Sequence, residues 1–136
     1  MRLGTHLNFD GNCRAAFEFY ANSLGGKVTL MMTYGGSPMA AHVPPADHDK
    51  ILHATLELGD QHLTGADLPA GRYGKPQGFD VMLSLENPEE AERIFAALAD
   101  GGWTQMPLQE SFWALRFGMV TDRFGIPWMI NCGRPV

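Results

Sequence analysis

Cysteine, positive charge and long apolar runs are all scarce in this sequence. Its 136 residues include only Cys13 and Cys132, which are too few for a disulfide framework or a cysteine-rich zinc site. Both are therefore expected to be reduced and structural. No apolar stretch approaches the roughly 20 residues of a membrane helix, and no long apolar core follows the N-terminal residues. We expect a cytoplasmic protein with no membrane partner.

The charge balance and the missing motifs exclude several more classes. Ten Lys and Arg stand against 15 Asp and Glu, and the basic residues are scattered as single positions. No cluster would neutralise a run of phosphates, so nucleic acid is excluded as a partner. The patterns GxGxxG, GxxxxGK[ST], HExxH and GxSxG are absent, which argues against dinucleotide-binding, nucleotide-binding, zinc-protease and α/β-hydrolase proteins.

What the sequence does contain is an internal repeat. The segment LNFDGNCRAAFEFYANSLGG, from Leu7, aligns without a gap on LSLENPEEAERIFAALADGG, from Leu83, at an offset of 83 − 7 = 76 residues. Repetition at a fixed offset identifies a duplicated structural unit. Each copy has the pattern of a strand, a turn, a helix, a double glycine and a second strand. The glycines Gly25 and Gly101 are expected to end the helices in a left-handed conformation.

Further strand patterns follow each helix, and turn residues separate them. They cover Lys27 to Thr33, Ile51 to Leu58, Gln61 to Ala66, Trp103 to Leu108, Trp113 to Thr121 and Pro127 to Cys132. We expect an α+β fold in a single domain, residues 1–136, with module 1 at about 1–67 and module 2 at about 78–136. A Gly- and Pro-rich loop at 34–50 interrupts module 1. It is either an ordered lid or a surface insertion.

Three segments carry a resemblance to a known family: LNFDGNCRAAFEFY, ILHATLELGDQHLTGAD and SFWALRFGMVTDRFGIPWMINC. Together they resemble the PhnB-like branch of the vicinal oxygen chelate superfamily, which includes glyoxalase I, extradiol dioxygenases and bleomycin-resistance proteins. The resemblance covers nearly the whole chain. It implies two βαβββ modules that form curved mixed sheets around a cavity, either paired within one chain or swapped between the chains of a homodimer.

The resemblance also implies where a metal would be held. In the metal-using members, four ligands from the first and fourth strands of the two modules, usually His, Glu or Gln, bind a divalent ion. These positions fall on Gly4 or Thr5, Thr64 or Gly65, Asp80 and Met129. Only Asp80 is a suitable hard donor, and a thioether is a poor ligand for Mg, Mn, Zn or Fe. The resemblance therefore implies no catalytic metal and no cofactor.

A rearranged site for a divalent metal is the alternative. His6 lies beside the first ligand position, on a strand where a shift of one residue reverses the face. His6 and Asp80 would begin such a site, and His53 or His62 would complete it. In the absence of a metal, His53, which precedes a strand pattern, and His62 are general bases, binding donors or structural residues.

Strand alternation predicts which side chains line the cavity. Leu83 and Leu85 are expected to face the second helix, and the alternate positions then face the opposite side, as do the matching positions of the first copy. The expected ligand pocket comprises His6, Asn8, His53, Asp80, Met82, Trp113 and Met129. Asp80 is expected to open the fifth strand. Six of the eight methionines fall on strands, which favours a pliable apolar cavity or an irregular core.

Several aromatic and polar residues have two interpretations each. Phe112, Trp113 and Trp128 would present aromatic surface near the last hairpin for a planar ligand, or would pack in the core. Arg116 would receive an anionic ligand or form a salt bridge. His42 and His48 are expected to face solvent unless the 34–50 loop closes over a ligand.

The sequence thus favours a protein, expected to be homodimeric, that binds a small organic molecule without a catalytic metal. The second hypothesis is a metal-dependent lyase, isomerase or dioxygenase with a rearranged site. The third is a dimerisation or interaction protein whose sheets enclose no cavity. Relatives sometimes carry a demethylubiquinone methyltransferase label, but no glycine-rich cofactor turn is present here to support methyl transfer.

Overall fold

The computed structural model describes residues 1–133, which form two compact units, Met1–Gly74 and a second that begins at Lys75. Module 1 lies in the first unit and contains one helix and four strands, in the order β1 (Thr5–Phe9), α1 (Cys13–Leu24), β2 (Lys27–Thr33), β3 (Ile51–Leu58) and β4 (Gln61–Asp67). Its sheet has the order β1-β4-β3-β2, in which β1 and β4 are parallel and the other pairs are antiparallel.

Module 2 repeats this topology. Its elements are β5 (Val81–Leu85), α2 (Pro88–Ala99), β6 (Trp103–Gln109), β7 (Ala114–Thr121) and β8 (Pro127–Gly133), and its sheet has the order β5-β8-β7-β6 with β5 parallel to β8. The expected α+β fold of two βαβββ modules is confirmed. One boundary differs in a way that concerns the site, because Asp80 precedes β5 and does not open it.

Local sequence signals explain where the helices begin and end. The side-chain oxygen of Asn87 accepts the backbone N–H groups of Glu89 at 2.8 Å and Glu90 at 3.3 Å, which satisfies two free donors of α2. Gly25 and Gly101 follow the helices with φ angles of 77° and 79°, as expected for left-handed helix stops. The start of α1 is different, since Asn12 makes no side-chain cap hydrogen bond.

Each helix packs closely on its sheet because a glycine faces it. A Cβ atom at Gly65 of β4 would lie 2.5 Å from the ring of Phe17 in α1. In module 2, a Cβ atom at Gly118 of β7 would lie 2.8 Å from the ring of Phe95 in α2. Real Cβ atoms do not approach other atoms so closely, so each glycine makes room for an aromatic ring in a densely packed core.

The 34–50 loop contains two short 3-10 turns, Pro38–His42 and Pro45–Asp47. His48 was expected to face solvent, and this is wrong. Its Nε2 lies 3.0 Å from the carbonyl oxygen of Ala40 and 3.2 Å from that of Val43. These contacts connect the two ends of the 40–48 segment of the loop. His42 is exposed, as expected. His48 thus has a structural role because it satisfies loop carbonyls that no ladder would pair.

Candidate functional site

The sheet of module 1 has one face against α1 and one open face. Leu7 and Phe9 of β1 are buried, so the alternate side chains of this strand, His6 and Asn8, project to the open side. In the sheet register His6 is the partner of Thr64. His53 lies inside β3 and not before it. We call the open-face side chains of His6, Asn8, His53, Thr55 and Thr64 the module 1 face.

His6 is held in a defined orientation on this face. Its Nδ1 lies 2.8 Å from the hydroxyl oxygen of Thr64, and that hydroxyl donates to the carbonyl oxygen of Thr5 at 3.4 Å. This contact and a side-chain hydrogen bond with Asn8 fix the orientation of the imidazole ring. The ring also stacks on His53, with centroids 6.3 Å apart and an angle of 14° between the planes. His6 is therefore held in place by Thr64, Asn8 and the ring of His53.

The pKa of His6 is lowered from its ordinary value of 6.5. Desolvation of the ring is the largest cause, and the neighbouring His53 lowers the pKa further, since two imidazolium ions would repel each other. A hydrogen bond with Asn8 opposes both effects and raises the pKa. His6 is consequently neutral at pH 7 and serves there as a hydrogen-bond partner or a base, not as a cation.

This pKa predicts a mild loss of stability in acid. The unfolded chain takes up the His6 proton near pH 6.5, whereas the folded chain takes it up only at lower pH. Stability should therefore fall as the pH drops through 6.5 and stop falling below the folded pKa. Titration of the histidine ring protons by NMR should give His6 a pKa below 6.5, and His53→Gln should raise it. A His6 pKa that is unchanged in this variant would contradict the proposed repulsion.

An open pocket of 760 Å³ lies beside the module 1 face. It is lined by residues 2–6, Thr55, residues 60–62 and Thr64. Of the seven expected pocket residues, only His6 lines it, although Asn8 and His53 lie on the same sheet face. Most of the lining residues are of polar type. They include His62, whose Nδ1 lies 3.5 Å from the guanidinium of Arg2 and whose Nε2 lies 3.4 Å from the carboxylate of Glu57. These residues favour hydrogen-bonding ligand groups over purely apolar ones.

The open face of the module 2 sheet is different in character. Three strands present two rows of neighbouring side chains on it, as the sheet register shows. The first row is Met82, Met129 and Met119, and the second is Ser84, Asn131 and Phe117. We call these six residues the module 2 face. Met82, an expected pocket residue, is 57% exposed, and no charged residue belongs to the set.

Aromatic side chains stand at one end of this face. Trp113 lies in the connection between β6 and β7, away from the last hairpin. Its ring packs edge-on against two phenylalanine rings, with 5.3 Å between the ring centroids for Phe117 and 4.7 Å for Phe112. Trp128, by contrast, is buried and its indole N–H donates to Asp122 at 2.8 Å. The interpretation of Trp128 as ligand-binding surface is therefore wrong, because alternation along β8 turns it away from the face that carries Met129.

The remaining candidate groups have structural partners. The guanidinium of Arg116 forms a salt bridge with Glu92 at 3.0 Å, in agreement with the second of its two interpretations. Cys13 begins α1 but is fully buried, and burial followed by the charge of Asp67 raises its pKa to about 12. Burial also raises the pKa of Cys132. Neither thiol forms a nucleophilic thiolate at neutral pH.

Comparison with known proteins now decides the family. The family model described as the Glyoxalase/Bleomycin resistance protein/Dioxygenase superfamily matches residues 3–130. The chain belongs to this superfamily. Its described part, residues 1–133, contains no helix that is long and apolar enough to cross a membrane.

Three individual proteins match over nearly the full chain. The crystal structure of protein PA1353 from Pseudomonas aeruginosa is 44% identical, has a TM-score of 0.90 and shares 99% of both chains. Protein YjdN of Escherichia coli K12 is 34% identical over 96% of this chain and 95% of its own. A third match is a structure from Bacillus cereus that is titled a putative 3-demethylubiquinone-9 3-methyltransferase, PhnB protein. It is 22% identical, with a TM-score of 0.82 over 98% of this chain and 100% of its own. At this identity it supports the fold alone.

The superfamily implies a divalent metal in its catalytic members, and the residues here do not fit one. By the repeat offset of 76, His6 of β1 corresponds to Met82 of β5 (6 + 76 = 82), and their partners on the fourth strands of the modules are Thr64 and Met129. Of the four positions at which the resemblance implies ligands, only Asp80 carries a hard donor, and Met129 carries a thioether, which is a poor ligand for hard divalent ions. Within residues 1–133, no three His, Cys, Asp or Glu side chains are grouped to hold an ion.

Proposed function

We propose that this protein binds a small organic molecule without the help of a catalytic metal. The observation that carries the proposal is the pair Met82 and Met129, which are neighbours on the open face of module 2 at the positions corresponding to His6 and Thr64. Thioethers adapt their shape to apolar ligands and bind hard cations poorly. The polar pocket beside His6 supplies hydrogen bonds, so the two modules offer chemically different surfaces.

A homodimer in the cytoplasm is part of the same proposal. The supporting observation is the number of large apolar side chains that the described chain leaves exposed, among them Met82 at 57% and Phe79 at 48%. Such side chains on a soluble protein indicate a surface that a ligand or another protein covers. Size-exclusion chromatography with light scattering should give twice the mass of the 14.9 kDa chain.

The metal-free proposal predicts that a chelator does not change the stability of the protein. Protein purified without added metal and without a nickel affinity column should contain far less than one Mn, Fe, Zn or Ni ion per chain by elemental analysis. Its melting temperature should not change with EDTA, whereas removal of an ion present at 100 times its Kd would cost about 2.7 kcal/mol. One bound ion per chain together with a lower melting temperature in EDTA would reject the proposal.

A metal-dependent enzyme with a rearranged site is the second candidate, and the observation that favours it is the imidazole of His6 on the open face of module 1, next to that of His53. On that view Asp80 is a metal ligand, and Asp80→Ala abolishes metal uptake while the fold is retained. Asp80→Asn, which keeps an oxygen donor but removes the charge, is the matched control. Metal uptake that is the same in all three proteins would remove Asp80 from the ligand set.

A further inference from the structure

One atom on the module 2 face has no hydrogen-bond partner. Within residues 1–133, the only fully buried side-chain nitrogen or oxygen left without a hydrogen bond is Oδ1 of Asn131. Burial of an acceptor in this state destabilises a protein, because the oxygen gives up water and gains nothing in return. Such an atom in a native structure marks a strained site, a bound water or a place where a ligand group is received.

The surroundings of Asn131 show what kind of ligand group would reach it. Its neighbours in the sheet register are Ser84 on β5 and Phe117 on β7, and the next position along β8 on the same face is Met129. Phe117 is in edge contact with Trp113, which is 48% exposed. Asn131 therefore has an aromatic residue beside it on β7 and a methionine two positions away on its own strand. Flat apolar ligands pack well against both kinds of side chain.

The absence of charged residues from the module 2 face narrows the class of ligand further. None of the six residues of the module 2 face is ionisable at neutral pH, so an anion or a cation bound there would lose its hydration without a counter-charge. A neutral ligand avoids that cost. The face supplies an acceptor at Asn131, and the ligand must therefore supply the donor, which is an O–H or N–H group.

We propose that the module 2 face binds uncharged, planar aromatic molecules that donate one hydrogen bond from a phenolic O–H or an amide-type N–H group to Oδ1 of Asn131. This inference rests on the proposed function and names its ligand class. Trp113 and Phe117 provide the aromatic contact, and the methionine row provides an adaptable apolar floor. The pocket beside His6 is not required for this contact.

A pair of matched probes tests the inference in the full chain. 2-Naphthol carries an O–H donor, and 2-methoxynaphthalene has the same ring system with no donor. Isothermal titration calorimetry should show that the wild-type protein binds 2-naphthol roughly tenfold more tightly, since its donor pairs with an otherwise unsatisfied buried acceptor. Equal affinities for the two probes, or no binding of either, would overturn the inference.

Variants of Asn131 show whether this residue is the cause. Asn131→Leu and Asn131→Ala both remove the acceptor, and only the leucine adds apolar volume. Both variants should reduce the ratio of the affinities for 2-naphthol and 2-methoxynaphthalene to about one. Met82→Leu, which changes the same face but no hydrogen bond, should leave the ratio unchanged. Trp113→Ala should weaken both probes to a similar extent. A ratio that survives in both Asn131 variants would place the donor contact elsewhere.

The inference and the proposed function fail through different results. A stoichiometric resident metal would reject the metal-free function, and elemental analysis detects it without any probe. The absence of donor selectivity would reject the assignment of Asn131, even in a protein that is free of metal and binds other small molecules.

Discussion

Replacement of Asp67 by Asn is expected to destabilise module 1 by about 2 to 4 kcal/mol. Asp67 ends β4 and is 1% exposed. Its Oδ1 accepts the backbone N–H groups of Gly11 and Cys13, each at 3.0 Å, and its Oδ2 accepts that of Ile51 at 2.8 Å. An asparagine keeps one oxygen, so at least one N–H group would face an NH₂ group. Hydrogen bonds to a charged acceptor are also stronger than those to a neutral one.

The measurement is urea unfolding followed by circular dichroism, compared with wild type. Asp10→Asn is the matched control because Asp10 is an exposed carboxylate in the turn before α1, and its removal should change stability by no more than about 0.5 kcal/mol. A midpoint for Asp67→Asn equal to that of Asp10→Asn would show that the three contacts contribute little. The slope of the transition should stay unchanged if only stability is altered.

The cap at Asp67 also shows why part of the fold could not be predicted. Local signals were sufficient for α2, where the capping residue Asn87 directly precedes the helix. For α1 the acceptor comes from Asp67, 54 residues beyond the Cys13 amide that it caps. No local pattern connects two such positions, and only the parallel pairing of β1 with β4 brings them together.

The candidate site was predictable to the extent that it depends on alternation. The period of two along a strand correctly predicted that His6 and Met82 point away from the helices. The same period also separates Trp128 from Met129, so the sequence did contain the signal that Trp128 faces the core. Asn131 shares its face with Met129 by the same rule. That its oxygen is buried and unpaired depends on packing from other strands, which spacing does not reveal.

The segments that carry the family resemblance have structural roles in this chain. Asp67 is the last residue of ILHATLELGDQHLTGAD, and Asp122 begins the stretch DRFGIPW of the last hairpin. Both are buried carboxylates that accept backbone N–H groups from turns. Residues of this kind specify a fold and leave the chemistry of the open faces free to vary. This explains why the motifs identify the superfamily and do not identify an activity.

The second large effect is expected at Asp122, which is fully buried. Its Oδ1 accepts the backbone N–H groups of Phe124 at 2.8 Å and Ile126 at 3.0 Å, and its Oδ2 accepts the indole N–H of Trp128 at 2.8 Å. Indole nitrogen only donates. Asp122→Asn should therefore cost about 2 to 3 kcal/mol, since its NH₂ group would face one of three donors.

A double-mutant cycle with Trp128→Phe separates the indole contact from the turn contacts. Phenylalanine has no N–H group, so in that background the amide introduced by Asp122→Asn can turn its NH₂ end toward the apolar ring and keep its oxygen on the turn. The cost of Asp122→Asn should then fall by about 1 to 2 kcal/mol, measured by urea unfolding. Strict additivity of the two substitutions would mean that the carboxylate stabilises the hairpin through the Phe124 and Ile126 amides alone, with the indole filling space beside it.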